Sequence, residues 1–170
     1  MLLTSRCRYL IALCLLPVST LLTAEPFPPP KGDVLLRLTG DIAHVNVGDE
    51  LHLDRTMLMS LSPVVVETAT PWTEGVSRFE GPLARAVVEA AGVSVEHVRV
   101  RALDDFEAKV PVSDFHEYDV ILAIQRDGEP IPVRDLGPVF LLYPFDDHPE
   151  LLNETIRFRS VWHVGTIHVP

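Results

Sequence analysis

Beyond residue 24 the sequence contains no cysteine: its only two, Cys7 and Cys14, lie in the opening stretch. Once that stretch is removed, the chain can form neither disulfides nor thiolates, and cysteine nucleophiles and thiolate metal sites are excluded. Positive charge is also scarce, with 14 Lys and Arg against 24 Asp and Glu and a formal net charge of −10. Such an acidic chain does not suit a nucleic-acid backbone, which needs stripes of Lys and Arg. A small ligand, or a protein partner with a basic patch, fits better. No HExxH, CxxC, GxSxG or phosphate-cradling glycine loop occurs. The seven histidines are scattered, and the closest pair, His163 and His168, would face opposite sides of a strand. Metal ligation and hydrolysis through a nucleophilic elbow therefore have no local signature.

One apolar stretch stands out, from Tyr9 to Leu22, interrupted by Pro17, Ser19 and Thr20. It is shorter than the ~20 residues that span a bilayer. Arg6 and Arg8 precede it, and Leu22-Thr23-Ala24 offers a small residue before the break Glu25-Pro26-Phe27-Pro28-Pro29-Pro30. This is the order of a secretory signal peptide cleaved after Ala24, which predicts an exported, periplasmic protein. Residues 25–32 then read as an extended proline-rich arm, and residues 33–170 as one domain with a core of its own.

Within that domain, residues 33–40 predict an opening strand, and 45–53 a hairpin return about Gly48-Asp49. Asp54 is placed to cap a short helix over 56–61, and Pro63 ends it before a buried strand at 64–66. A second helix is expected over Pro82 to Ala91, with proline in its first turn and Gly92 beyond its end. Strands follow at 98–103, 106–111 and 120–125, then the turn Arg126-Asp127-Gly128-Glu129. Further strands are expected at 139–143 and 160–169. Many short strands with few short helices predict an α+β domain, a mixed and mostly antiparallel sheet or barrel.

The most informative segment is Glu67 to Gly75, which leaves a strand and enters a loop bearing hydroxyls, a tryptophan and a glycine. Trp72 has two readings, a stacking platform for a flat heterocycle or a cap on the core. In the first, Thr68 and Thr70 would hydrogen-bond the heterocycle's edges. Asp104 and Asp105 are adjacent, so in extended chain they face opposite ways and do not share a proton. One of them could accept two N–H bonds from an amino-pyrimidine, or both could belong to a solvated turn. Among Arg101, Arg126, Arg134, Arg157 and Arg159, Arg134 is singled out by its place before Asp135-Leu136-Gly137-Pro138.

Taken together, several passages resemble a family. Thr70-Pro71-Trp72-Thr73-Glu74-Gly75, then Phe79-Glu80-Gly81-Pro82-Leu83 and Ala90-Ala91-Gly92-Val93, are similar to the oxidoreductase molybdopterin-binding family of sulfite oxidase fold. The similarity continues through Asp105-Phe106, Tyr118 to Ala123, Arg126 to Ile131, Gly137-Pro138, Tyr143-Pro144 and Val161-Trp162-His163, from about Val34 to Val169. It implies the sulfite oxidase-like fold, and a ligand site near Trp72, Thr70, Thr68, Asp105, Arg134 and Tyr143. Catalytic members place a cysteine thiolate on molybdenum at a position that falls here at about Thr68 to Thr70, where there is none. The family's basic, glycine-rich phosphate loops are not evident either. The cysteine-free pattern is similar to periplasmic pterin-binding response proteins. That resemblance implies a non-catalytic protein holding a metal-free pterin and signalling to a membrane-bound diguanylate cyclase/phosphodiesterase. The alternative is a molybdopterin-dependent oxidoreductase carrying the molybdenum cofactor.

Overall fold

Alternation of apolar and polar residues lays down most of the fold. In Val34–Gly40 (β1), Leu36 and Leu38 are fully buried while Arg37 between them is exposed. The same period of two sorts His97–Ala102 (β5), where Val98, Val100 and Ala102 point inward and Arg99 and Arg101 outward. The structure, a computed structural model, describes residues 27–170. The expected signal peptide lies outside the described residues.

The remaining strands are Leu51–Asp54 (β2), Pro63–Ala69 (β3), Val76–Pro82 (β4), Glu107–Pro111 (β6), Ile121–Ala123 (β7), Gln125–Arg126 (β8), Glu129–Pro130 (β9), Phe140–Leu142 (β10) and Val164–Val169 (β11). Among the described residues four short α-helices accompany them: Arg55–Met59 (α1), Ala84–Ala90 (α2), Val112–Glu117 (α3) and Glu154–Arg159 (α4). Three sheets result, ordered β2-β1-β11-β5-β6, β3-β4-β8-β9 and β10-β7. Among the described residues only β1 with β11 pairs in parallel, joining the two ends of the domain through Arg37↔Thr166 to Gly40↔Val169. This is the α+β, mainly antiparallel architecture expected from the sequence.

Several local expectations shift. The second helix starts at Ala84 and not at Pro82, because Pro63 to Ala69 recruits residues 76–82 as its antiparallel partner strand β4. Gly81 then lies against β7, where a Cβ would meet the Leu122 carbonyl oxygen at 2.0 Å. Only glycine permits that approach. The predicted closing strand loses its first four residues, since Ser160 caps α4 and the chain bends at Trp162 and His163 before β11 begins. Helices α3 and α4 were not foreseen from the sequence, being six residues each and without a full amphipathic repeat.

Asp54 does more than cap α1. Its carboxylate accepts from Met57 N at 2.9 Å, and also from the arm's Lys31 N at 2.8 Å and Gly32 N at 3.0 Å. Residues 27–32 are thereby laid along the domain, with Phe27 packed on the core and Pro28 O accepting from Asn46 Nδ2. The Met57 N–H, ahead of the arm's own amides, holds the Asp54 carboxyl below its ordinary range.

Candidate functional site

Three separate stretches of chain converge on a cleft of about 310 Å³: the loop after β3, the turn between β5 and β6, and α4 with the residues following it. The first is stapled by its own hydroxyls. Thr70 Oγ1 accepts from Trp72 N at 3.2 Å and pairs with Thr73 Oγ1 at 2.8 Å. Gly75, at φ +63°, turns the chain back into β4. This fixes Trp72, which packs edge-on to Phe140 at 5.7 Å and to Trp162 at 5.2 Å. Trp72 therefore covers the core, as its second reading expected, and also walls the cleft.

The second wall comes from Phe106, after the β5–β6 turn, and Phe158 in α4, whose rings meet edge to face at 5.1 Å. They are 41% and 55% exposed, unusually open for phenylalanines. Asp104 and Arg157 supply the cleft's charge. Asp104 Oδ1 accepts from Phe106 N at 3.3 Å, which leaves Oδ2 without a bond among the described residues. Arg159 is committed to Asp114 at 2.9 Å, but Arg157 has no such partner among the described residues. Ser160 also lines the cleft, yet its hydroxyl already donates to Ile156 O at 2.9 Å, so it is not a free nucleophile.

The residues singled out in the sequence divide sharply. Trp72 lines the cleft; Thr70 builds the loop beneath it. Thr68 is buried, donating to Ala69 O and accepting from Asp146 N, each at 3.0 Å, so its hydroxyl holds β3 to the residues after Tyr143. Asp105 adopts φ +69° and turns into solvent, so its neighbour Asp104 takes the place in the cleft that Asp105 was expected to fill. Arg134 is exposed on the loop before Leu136, away from the cleft lining. Tyr143 is wholly buried and donates to Asp114 Oδ2 at 2.7 Å. Burial, reinforced by the Asp114 carboxylate, pushes its phenol far above the ordinary value and keeps it a donor.

Sequence reasoning missed the cleft roles of Phe106, Arg157 and Phe158, and left Trp162 only as part of a resemblance. Their signal was weak: α4 is short, and exposed phenylalanines are recognised only once burial is known.

The profile of the oxidoreductase molybdopterin binding domain matches residues 54–145, more than half of the chain. The chain belongs to that family. Among solved structures, it is similar to the sulfane dehydrogenase SoxCD from Paracoccus pantotrophus at 17% identity and a TM-score of 0.57. The similarity covers 81% of this chain and 38% of the other, so this chain spans well under half of that protein. At such identity the likeness is one of fold. No curated protein matches the sequence.

As a molybdopterin-binding-type domain, the chain implies a pterin ligand, and its residues can be tested against one. The ring system fits: a cleft of this size, walled by aromatics and edged by a carboxylate and a guanidinium, suits a flat heterocycle with a polar rim. A protein-ligated molybdenum does not fit. The resemblance puts the metal-binding cysteine of catalytic members at about Thr68 to Thr70, where this chain has none, and Thr68 and Thr70 are already bonded within the protein. A threonine hydroxyl is a hard and weakly acidic donor, unlike the soft thiolate such a metal prefers. Among the described residues no three His, Cys, Asp or Glu side chains gather to hold a metal ion.

Proposed function

We propose that this domain binds a pterin, held by its ring between the Trp72–Trp162 wall and the Phe106–Phe158 wall, without a protein ligand to molybdenum. The observation that carries this reading is the convergence of four aromatic side chains from three chain segments on one cleft. Asp104 would accept from the ring's amino edge, and Arg157 would donate to its carbonyl or to an anionic tail. On this reading the pterin is metal-free and the domain is a binding module with no catalytic residue.

The family match favours a second reading, a molybdopterin-dependent oxidoreductase in which the cofactor's own sulfurs carry the metal. A periplasmic address rests on the leader sequence. A membrane-bound diguanylate cyclase/phosphodiesterase as partner rests on the resemblance alone, and neither the family match nor the cleft adds to it.

Titration of the purified protein with a reduced pterin, followed by tryptophan fluorescence, tests the binding site. Phe158→Ala is the sharper variant, because Trp72 and Trp162 both pack against the core as well. It should weaken binding roughly fivefold to 150-fold, the 1–3 kcal/mol of one aromatic stacking partner. An unchanged dissociation constant in both Trp162→Ala and Phe158→Ala would refute the assignment of this cleft.

A further inference from the structure

We infer that the open face of the β2-β1-β11-β5-β6 sheet docks an acidic protein segment carrying one apolar anchor residue. In a chain with a net charge of −10, the cations are few. Four of them nevertheless stand together on this face, on strands whose opposite side is the core. Arg37 on β1, Arg99 and Arg101 on β5 and Lys109 on β6 are all exposed. The register sets them in two neighbouring rows. One row runs His52, Arg37, Thr166, Arg101, Glu107, and the next runs Thr39, His168, Arg99, Lys109.

Glu107 is the only carboxylate inside the rows, and it is shared between Arg101 at 2.8 Å and Arg99 at 3.7 Å. At the β2 margin, Glu50 faces His52 at 2.6 Å. Arg37 and Lys109 have no ion-pair partner among the described residues. Strands are spaced about 4.8 Å apart, so Arg37 and Arg101, two strands apart, present cations roughly 10 Å from each other on a rigid support.

The face also has a notch at one end, where apolar side chains meet a lining that is polar in larger part. Leu35, Leu103 and Pro138 line a hollow of about 180 Å³ beside Arg37 and Thr166. Leu103 is 57% exposed and lies over Gly165, where a Cβ would come within 2.6 Å of its Cδ2. A pocket for one side chain, flanked by fixed cations, is the arrangement of a docking site with a central anchor and a charged rim. The notch selects among acidic partners. Nucleic acids and sulfated polysaccharides offer no apolar side chain, and they and an anionic bilayer extend past the patch on a chain whose net charge is −10. An acidic protein segment is small enough to meet the cations alone, since at physiological salt charges are felt over only about 8 Å.

The test uses the whole protein and a labelled, glutamate-rich peptide with a central leucine, followed by fluorescence anisotropy at low and high salt. Binding should weaken steeply with salt. It should also fall at least roughly tenfold in Arg37→Glu/Arg101→Glu and in Lys109→Glu. Leu103→Ser, or serine for the peptide's leucine, should weaken it while the salt dependence persists. Equal binding by the charge-reversed and parent proteins overturns the inference, provided circular dichroism shows both folded. So does preferential binding of phosphatidylglycerol vesicles or heparin, or salt-sensitive self-association abolished by the same substitutions. The last result would give the face to a second copy of the chain. None of these outcomes bears on the pterin cleft, which can be titrated separately in each variant.

Discussion

Replacing Asp114 by asparagine tests how the α4 wall of the cleft is held. Asp114 is 6% exposed, and its Oδ2 accepts both from Tyr143 at 2.7 Å and from Arg159 at 2.9 Å. Asparagine keeps the shape and one acceptor oxygen but removes the charge, leaving the Arg159 guanidinium without a counter-ion. Breaking a fully buried pair on one side costs about 3–5 kcal/mol. The Arg159 side chain is 25% exposed, so water recovers part of that loss. About 2–3 kcal/mol remains, or a fall in Tm of roughly 6–10 °C for a domain of this size.

Tyr143→Phe deletes only one donor and should cost about 1–1.5 kcal/mol. Arg159→Met removes the other partner, and a double-mutant cycle with Asp114→Asn should show coupling of about 1 kcal/mol or more. Urea denaturation at neutral pH reads the parent and all four variants. An Asp114→Asn variant within about 0.5 kcal/mol of the parent, with no coupling to Arg159, would refute this account of the clamp.

The other expectations follow from single close contacts. Gly81→Ala places a methyl 2.0 Å from the Leu122 carbonyl, and should cost several kcal/mol (about 2–4) or prevent folding, as soluble yield and urea titration would show. For Asp54 the folded carboxyl titrates below its unfolded value. Its contribution is therefore fully present above that value and is lost as pH falls below about 4. The difference in stability between the parent and Asp54→Asn should shrink across that window; a difference that does not change with pH would contradict the capping role. The same substitution should expose residues 27–32 to limited proteolysis at neutral pH, because two of the three backbone donors to Asp54 belong to the arm.

The sequence carried the fold well where alternation was long. The buried Val98, Val100 and Ala102 of β5, and Leu36 and Leu38 of β1, could be read directly from the period of two. It carried less where pairing depends on distant chain. Nothing local announces that β1 and β11 meet in parallel, or that residues 76–82 leave the loop to pair with β3. The site was legible at Trp72, whose surroundings of turn residues marked a loop leaving a strand. Thr68 and Tyr143 were attractive on chemistry alone, yet their polar atoms satisfy buried neighbours, a use that requires Asp146 and Asp114 to be known as contacts. Asp104 and Asp105 could not be told apart until the left-handed backbone at Asp105 showed which one turns away. Phe106 and Phe158 are ordinary core-forming residues by type, and only their exposure marks them as a wall.

The most direct test of the central claim is denaturing extraction of the protein, purified from a molybdenum-replete host, with fluorescence and mass analysis of the released material and metal analysis of the same sample. The account predicts a released pterin without stoichiometric molybdenum, and its loss from Phe158→Ala. Stoichiometric molybdenum with its dithiolene cofactor would contradict the metal-free reading and return the domain to redox catalysis, and an extract without any pterin would contradict the assignment of the cleft.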